Sequence, residues 1–513
     1  MKSILLTAAL SLIGITAAQS QILRTTVEQG EIEGVEHEGH ALYKRIPYAE
    51  APVGNLRWKA PIAKKPWQGV YKSDTWGDRP PQPIDPNQNG GELGISEDCL
   101  YLSIETPAKS KNEKLPVFVM IHGGAFLTGS YSGTQESFVK EGIIYCSIEY
   151  RLGALGFMAH PELSKESERG ISGNYGILDQ VMALKWIHNN IAAFGGDPDM
   201  ITIAGESAGG ISVSILCASP LTKGLFHGAI SESGGSFWPV ASSRNGNTAM
   251  LTSKDAEKAG IELQQKLKAK NLKQLRKVPF EEIVKNTMME SFWPCVDGYA
   301  ITDDQYKLYE KGEYNDINVL IGTNSDEGSM FCRPIGVEAY ESNVRDTYGE
   351  WADKALEIYP AKSEEETYFA QADIFRDGSF AWGTYAWANL QRKTGKAKVF
   401  IYYFDQDSEN TIVRSRKGGA SHVAEMPFIY GYTFGSGKMT TTEIHMQQIM
   451  SQYWINFTKT GDPNGDTLPY WTQYEQGEPT VMIMHEGFHL GPVQNQKQMD
   501  FFEDFFKAKR TGE

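Results

Sequence analysis

The chain has 513 residues, 41% hydrophobic and 22% charged, ordinary values for a globular protein long enough to bury an extensive core. A net charge of −15 and a pI of about 5.3 argue against a nucleic-acid binder, which would carry a basic stripe. Five widely spread cysteines do not form a disulfide framework, and no Cys/His cluster has zinc-ligand spacing.

In chain order, Met1-Lys2 and the apolar run Ile4 to Ala18 read as a signal peptide over residues 1–20, with cleavage after Ala18 or Ser20. The run falls short of a membrane span, and the expected location is secreted or periplasmic. Leu23 to Glu38 predicts a short β meander around Gly30 and Gly34, and Pro-rich loops follow it. Leu115 to His122 is a continuous apolar strand, as expected where both faces of a sheet are covered, and Gly142 to Tyr150 is a second. Leu178 to Ala193 has helical spacing and stops at Phe194-Gly195-Gly196-Asp197-Pro198. Met200 to Ala204 predicts a buried strand, and 210–216 a helix. Later strands are expected at 228–231, 319–322 and 398–403, with helical stretches over 250–290 and 330–395. This alternation predicts an α/β fold with one large, mostly parallel central sheet, helices on both faces, and helical and loop insertions over the strand ends. No Gly-, Ser- or Pro-rich linker divides the chain, so residues 21–513 are expected to form a single domain.

Gly205-Glu206-Ser207-Ala208-Gly209, between a strand and a helix, has the G-x-S-x-G pattern. Small neighbours let the serine turn sharply out of the sheet towards a helix N-terminus. Acyl transfer by such a serine needs a base, a carboxylate to orient it, and N–H donors for the oxyanion. His122-Gly123-Gly124 follows strand 115–121 and offers the donors: the N–H groups of Gly123 and Gly124, together with that of Ala208. Five histidines precede Ser207, and His227 follows it too closely to leave room for an intervening acid. Of His422, His445, His485 and His489, His422 is favoured, because it lies in a flexible loop beyond strand 398–403. Asp326-Glu327 stands just past strand 319–322, and spacing does not choose between the two. The chemistry needs no metal and no cofactor. Phe126, Phe237, Trp238, Phe292, Trp293 and Phe331 are candidate wall residues, though each reads as simple core before it reads as a specificity determinant.

These motifs resemble the type-B carboxylesterase/lipase family, which includes cholinesterases and para-nitrobenzyl esterases. The resemblance rests on Ile46 to Glu50, Pro52 to Trp58, Ser96 to Leu102, Asn174-Tyr175-Gly176, Ala204 to Gly210, Asn324 to Gly328, Gly419 to His422 with Glu425, and Tyr453 to Phe457, across about residues 25–475. It implies an α/β-hydrolase fold, a small-molecule ester substrate and a Ser207–Glu327–His422 triad. It also implies Glu206 and Ser233 as supporting residues and the ion pairs Arg57–Glu97 and Arg151–Asp179. The family's secreted animal members pair the cysteine matching Cys99 with an upstream cysteine, and none exists here, so the 71–95 loop lacks that bridge. An interfacial lipase and a non-catalytic binding protein of the same fold are the alternatives. The polar 71–95 loop weighs against the first, and the intact triad motifs against the second.

Overall fold

The computed structural model describes residues 21–512 apart from 84–93, 131–132, 244–248, 289–290, 435–436, 476 and 478. The signal segment and the middle of the 71–95 loop lie outside the described residues. Eleven strands form the main sheet: β1 (Val35–His37), β2 (His40–Pro47), β3 (Tyr101–Thr106), β4 (Leu115–Ile121), β5 (Ile144–Ile148), β6 (Gly196–Glu206), β7 (Gly228–Glu232), β8 (Asn318–Asn324), β9 (Val399–Phe404), β10 (Thr480–Met484) and β11 (Phe488–Pro492). Their spatial order is β1-β2-β3-β5-β4-β6-β7-β8-β9-β10-β11. The pairs from β5 to β10 are parallel and the outer pairs antiparallel, as the alternating pattern predicted.

The continuous apolar strands serve two cores at once. Alternate residues of a strand point to opposite faces. Val117, Val119, Ile203, Val319 and Ile321 join one cluster, while Phe118, Ala204, Leu320 and Phe400 join the other. Helices α1 (Tyr175–Asn190) and α2 (Ala208–Ala218) contribute to the first cluster, and α3 (Thr441–Thr460) covers the second through Met446, Met450, Trp454 and Phe457. No helix among the described residues is long and apolar enough to cross a membrane.

Three expectations need correction. Helix α1 starts three residues before Leu178: Asn174 caps it in the left-handed region (φ 51°), and its first turn includes Gly176, where a Cβ would lie 2.5 Å from the Phe157 ring. Strand β6 begins at Gly196, inside the predicted stop, through a register shift opposite Leu115–Val117. The expected 23–38 meander is divided. Arg24–Val27 and Gly30–Glu33 form a small sheet with Val70–Lys72, whereas β1 joins the main sheet. All five cysteines are unpaired, and Cys99, Cys146, Cys217 and Cys295 are buried.

Candidate active site

Strand β6 ends in the pentapeptide and α2 begins at Ala208, so Ser207 sits between them with φ 57° and ψ −122°. This strained conformation is held because the flanking positions admit no side chain. A Cβ at Gly205 would lie 2.5 Å from the Gly209 carbonyl carbon, and one at Gly209 would lie 2.1 Å from the Ile121 oxygen. The Ser207 N–H donates to the Glu232 carbonyl (2.9 Å), which anchors the turn to β7.

The loops after β8 and β9 meet at the serine. His422 Nε2 lies 2.9 Å from Ser207 Oγ, and His422 Nδ1 lies 2.6 Å from Glu327 Oε2. Glu327 Oε1 accepts from Ser233 Oγ (2.6 Å) and from the Asn324 N–H (2.8 Å). Glu327 is thus held by three donors. Asp326 points elsewhere and accepts from the Ser329 and Ser415 hydroxyls. The geometry therefore brings Glu327, not Asp326, to the imidazole. A bridge between Asp326 and Ser421, with the Asp326 N–H donating to the Ala420 carbonyl (2.8 Å), ties the two loops together. Phe380 stacks on the His422 ring at 5.0 Å and Phe331 meets it edge-on at 5.2 Å. His445, His485 and His489 are exposed and take no part.

The donor loop follows β4. A Cβ on Gly123 would lie 2.5 Å from the Glu206 carbonyl oxygen and 3.3 Å from Ser207 Cβ, so this backbone passes directly over the serine. Ala208 is the first residue of α2, and intrahelical bonds leave its N–H free. Among the described residues, no backbone acceptor outside the regular elements meets the N–H of Gly123 or Gly124. The Gln82 side chain forms two bonds with the Gly129 backbone, Nε2 to the carbonyl (2.7 Å) and Oε1 from the N–H (3.0 Å). The 71–95 loop is therefore tied to the donor loop without a disulfide.

Beneath the imidazole lie four buried carboxyls: Glu206, Glu232, Glu327 and Glu425. Burial pushes Glu206 up to about 8, although His422 opposes the rise. Burial also pushes Glu232 up to about 7 and Glu425 well above the usual carboxylate range. Glu206 Oε1 is 3.2 Å from His422 Nε2, and Glu232 Oε1 accepts from Tyr430 (2.8 Å) and Trp454 (2.7 Å). Burial alone would lower the His422 pKa, but Glu206 and Glu327 outweigh it and the net shift is upward. His422 thus has a carboxyl at each ring nitrogen, Glu206 at Nε2 and Glu327 at Nδ1, and both favour its charged form. Sequence reasoning missed Glu232 and Phe380. An acidic residue closing an otherwise apolar strand was the one available signal for Glu232, and Phe380 carried none.

A cavity of about 250 Å³ adjoins the site, lined by His122, Gly123, Glu206, Met426, Tyr430 and Tyr432 among others. A larger one, of about 530 Å³, lies against α1 and Trp58 and contains none of the residues above. Of the candidate wall residues, Phe331 faces His422, Phe126 packs on Trp293 (4.8 Å), and Phe237 is core against Tyr309 and Trp387. The ion pairs Arg57–Glu97 and Arg151–Asp179 are both formed, the latter at 2.7 Å.

Residues 19–502 match the carboxylesterase family. Among the similar proteins, the fumonisin B1 esterase of Sphingopyxis macrogoltabida is 32% identical over 493 residues, covering 90% of this chain and 86% of that protein. The para-nitrobenzyl esterase of Bacillus subtilis is 32% identical over 516 residues, covering 93% and 98%. A solved structure of a PNB esterase superposes with a TM-score of 0.79 at 30% identity, covering 93% of this chain and 99% of that one.

Proposed function

This chain belongs to the carboxylesterase family and is a carboxylic ester hydrolase, and we propose that it works through an acyl-enzyme on Ser207. The observation that carries the proposal is the line of contacts from Ser207 Oγ through His422 to Glu327, at 2.9 and 2.6 Å, on a strained turn. Ser207 Oγ attacks the ester carbonyl while His422 Nε2 takes its proton. Glu327 accepts from Nδ1–H, which fixes the tautomer and stabilises the imidazolium. The N–H groups of Gly123, Gly124 and Ala208 receive the oxyanion, each worth roughly 10² to 10³ in rate. His422 returns the proton to the departing alcohol. Water then repeats the sequence on the acyl-enzyme. Ser233 positions Glu327, and Glu206 lines the cavity beside the serine, 3.2 Å from His422 Nε2.

The protein should hydrolyse short-chain p-nitrophenyl esters, and Ser207→Ala should reduce kcat to background. Unchanged activity in that variant would remove the assignment. Preference for emulsified long-chain triglycerides over the soluble esters would favour the interfacial lipase instead. We further propose export directed by residues 1–20. N-terminal sequencing of the mature protein should find a start after Ala18 or Ser20, and an intact Met1 would contradict export.

A further inference from the structure

Away from this site, the free edge of the main sheet gathers three metal-ligating side chains. Strands β1 and β2 are joined by Glu38 and Gly39 alone, with φ 47° and 90°. Two positive φ values in a two-residue loop define the tight hairpin turn that sets its register. His37 and His40 are therefore directly opposed on one face. Glu105 on β3 pairs with Leu42, two residues beyond His40, so it emerges on the same face one diagonal step away. Nε2 of His40 lies 2.6 Å from Glu105 Oε1, and the two imidazoles cross at 83° with centroids 5.6 Å apart. One ligand atom from each of the three residues lies within 4.8 Å of the others. The second oxygen of Glu105 accepts the Gln135 N–H (2.8 Å), which fixes the carboxylate as outer partners of metal ligands do. His40 and Glu105 are 4% and 1% exposed, while His37 is partly exposed and leaves a way in from solvent.

We propose that His37, His40 and Glu105 bind a divalent ion of the Zn²⁺ class. Two imidazole nitrogens and one carboxylate oxygen suit such an ion, whereas Ca²⁺ and Mg²⁺ prefer all-oxygen shells. Ligand atoms about 2.0–2.1 Å from a tetrahedral ion sit roughly 3.3 Å from one another, so His40 Nε2 and Glu105 Oε1, 2.6 Å apart here, would open slightly while a ring rotation of His37 completes the set. Glu105 is 65 residues from His40, which is why no zinc spacing shows in the sequence. The site spans β1 to β3, three to five strands from β6, roughly 14–24 Å at about 4.8 Å per strand, and so acts on the sheet edge rather than on the reaction. The ion would clamp the β1–β2 hairpin, at the edge of the sheet, to β3.

The test is calorimetric titration of chelator-treated protein with ZnCl₂, beside His37→Ala and Glu105→Gln. The expected result is one equivalent bound by the wild type, undisturbed by excess Mg²⁺ or Ca²⁺, and a rise in Tm with Zn²⁺. Affinity should fall at least about tenfold in His37→Ala, with p-nitrophenyl ester hydrolysis unchanged. His37 is the informative position because its ring is partly exposed and the variant should fold even if Glu105→Gln does not. Absence of Zn²⁺ binding by the wild type would overturn the proposal. So would equal affinity and stoichiometry in His37→Ala, which would leave His40 and Glu105 as a simple hydrogen-bonded pair.

Discussion

Replacing Glu327 by Gln should reduce kcat by about 10³ to 10⁴, or about 4–5.5 kcal/mol of transition-state stabilisation. The size follows from the donors around the carboxylate. The Asn324 N–H, 2.8 Å from Oε1, cannot accept a hydrogen bond, so it forces the Gln oxygen into that position. Ser233 Oγ, also on Oε1, is satisfied by the same oxygen. The Gln NH₂ must then occupy the Oε2 position, 2.6 Å from His422 Nδ1. An NH₂ there makes Nδ1 an acceptor and moves the imidazole proton to Nε2, where it faces Ser207 and cannot take a proton from it. Asp326→Asn provides the contrast, since the Ser329 and Ser415 hydroxyls on Asp326 can rotate to suit an amide. Its kcat should stay within about tenfold of wild type, the cost of lost charge–dipole contacts alone. The assay is p-nitrophenyl ester hydrolysis under saturating substrate, with Tm showing that both variants fold. The reasoning is refuted if Asp326→Asn loses as much as Glu327→Gln, or if Glu327→Gln keeps more than about a tenth of the wild-type rate.

Gly123→Ala should lower kcat by about 10² or more, because its Cβ would lie 2.5 Å from the Glu206 carbonyl oxygen and push the donor loop off Ser207. Retention of most activity would show that the loop yields elsewhere. Glu232 holds its proton up to about pH 7 in the folded protein but releases it near 4.5 when unfolded, so it makes folding less favourable as pH rises through that window. At about 1.4 kcal/mol per pH unit, the rise from 4.5 to about 7 amounts to roughly 3 kcal/mol, which Glu232→Gln removes. Denaturant titrations should show the variant gaining on wild type between pH 5 and pH 8; a difference that does not change with pH would contradict the buried, protonated Glu232.

Much of this was legible because the residues leave few alternatives. A seven-residue apolar run such as Leu115 to Ile121 cannot face water on either side, and its alternate side chains do enter two cores. Gly205 and Gly209 signalled a turn with no room for a Cβ, and the packing gives 2.5 and 2.1 Å. The choice between Asp326 and Glu327 was not readable from spacing, since it depends on which side chain the Asn324 N–H and Ser233 capture after the strands pair. The α1 start was misplaced because apolar spacing begins only at Leu178, whereas the first turn is set by Asn174 in the left-handed region and by Gly176 lying against Phe157. The four-carboxyl cluster and the His37–His40–Glu105 group were invisible for the same reason, since each joins residues from separate strands and loops whose adjacency only the sheet order supplies.

The most direct test of the account is to quench the enzyme within the first turnover of p-nitrophenyl acetate and digest it for mass spectrometry. The account predicts a single acetylated peptide, modified at Ser207, formed with a burst of p-nitrophenol and absent from Ser207→Ala. Hydrolysis at the wild-type rate with no acetyl group on Ser207, or with the label on another residue, would contradict it.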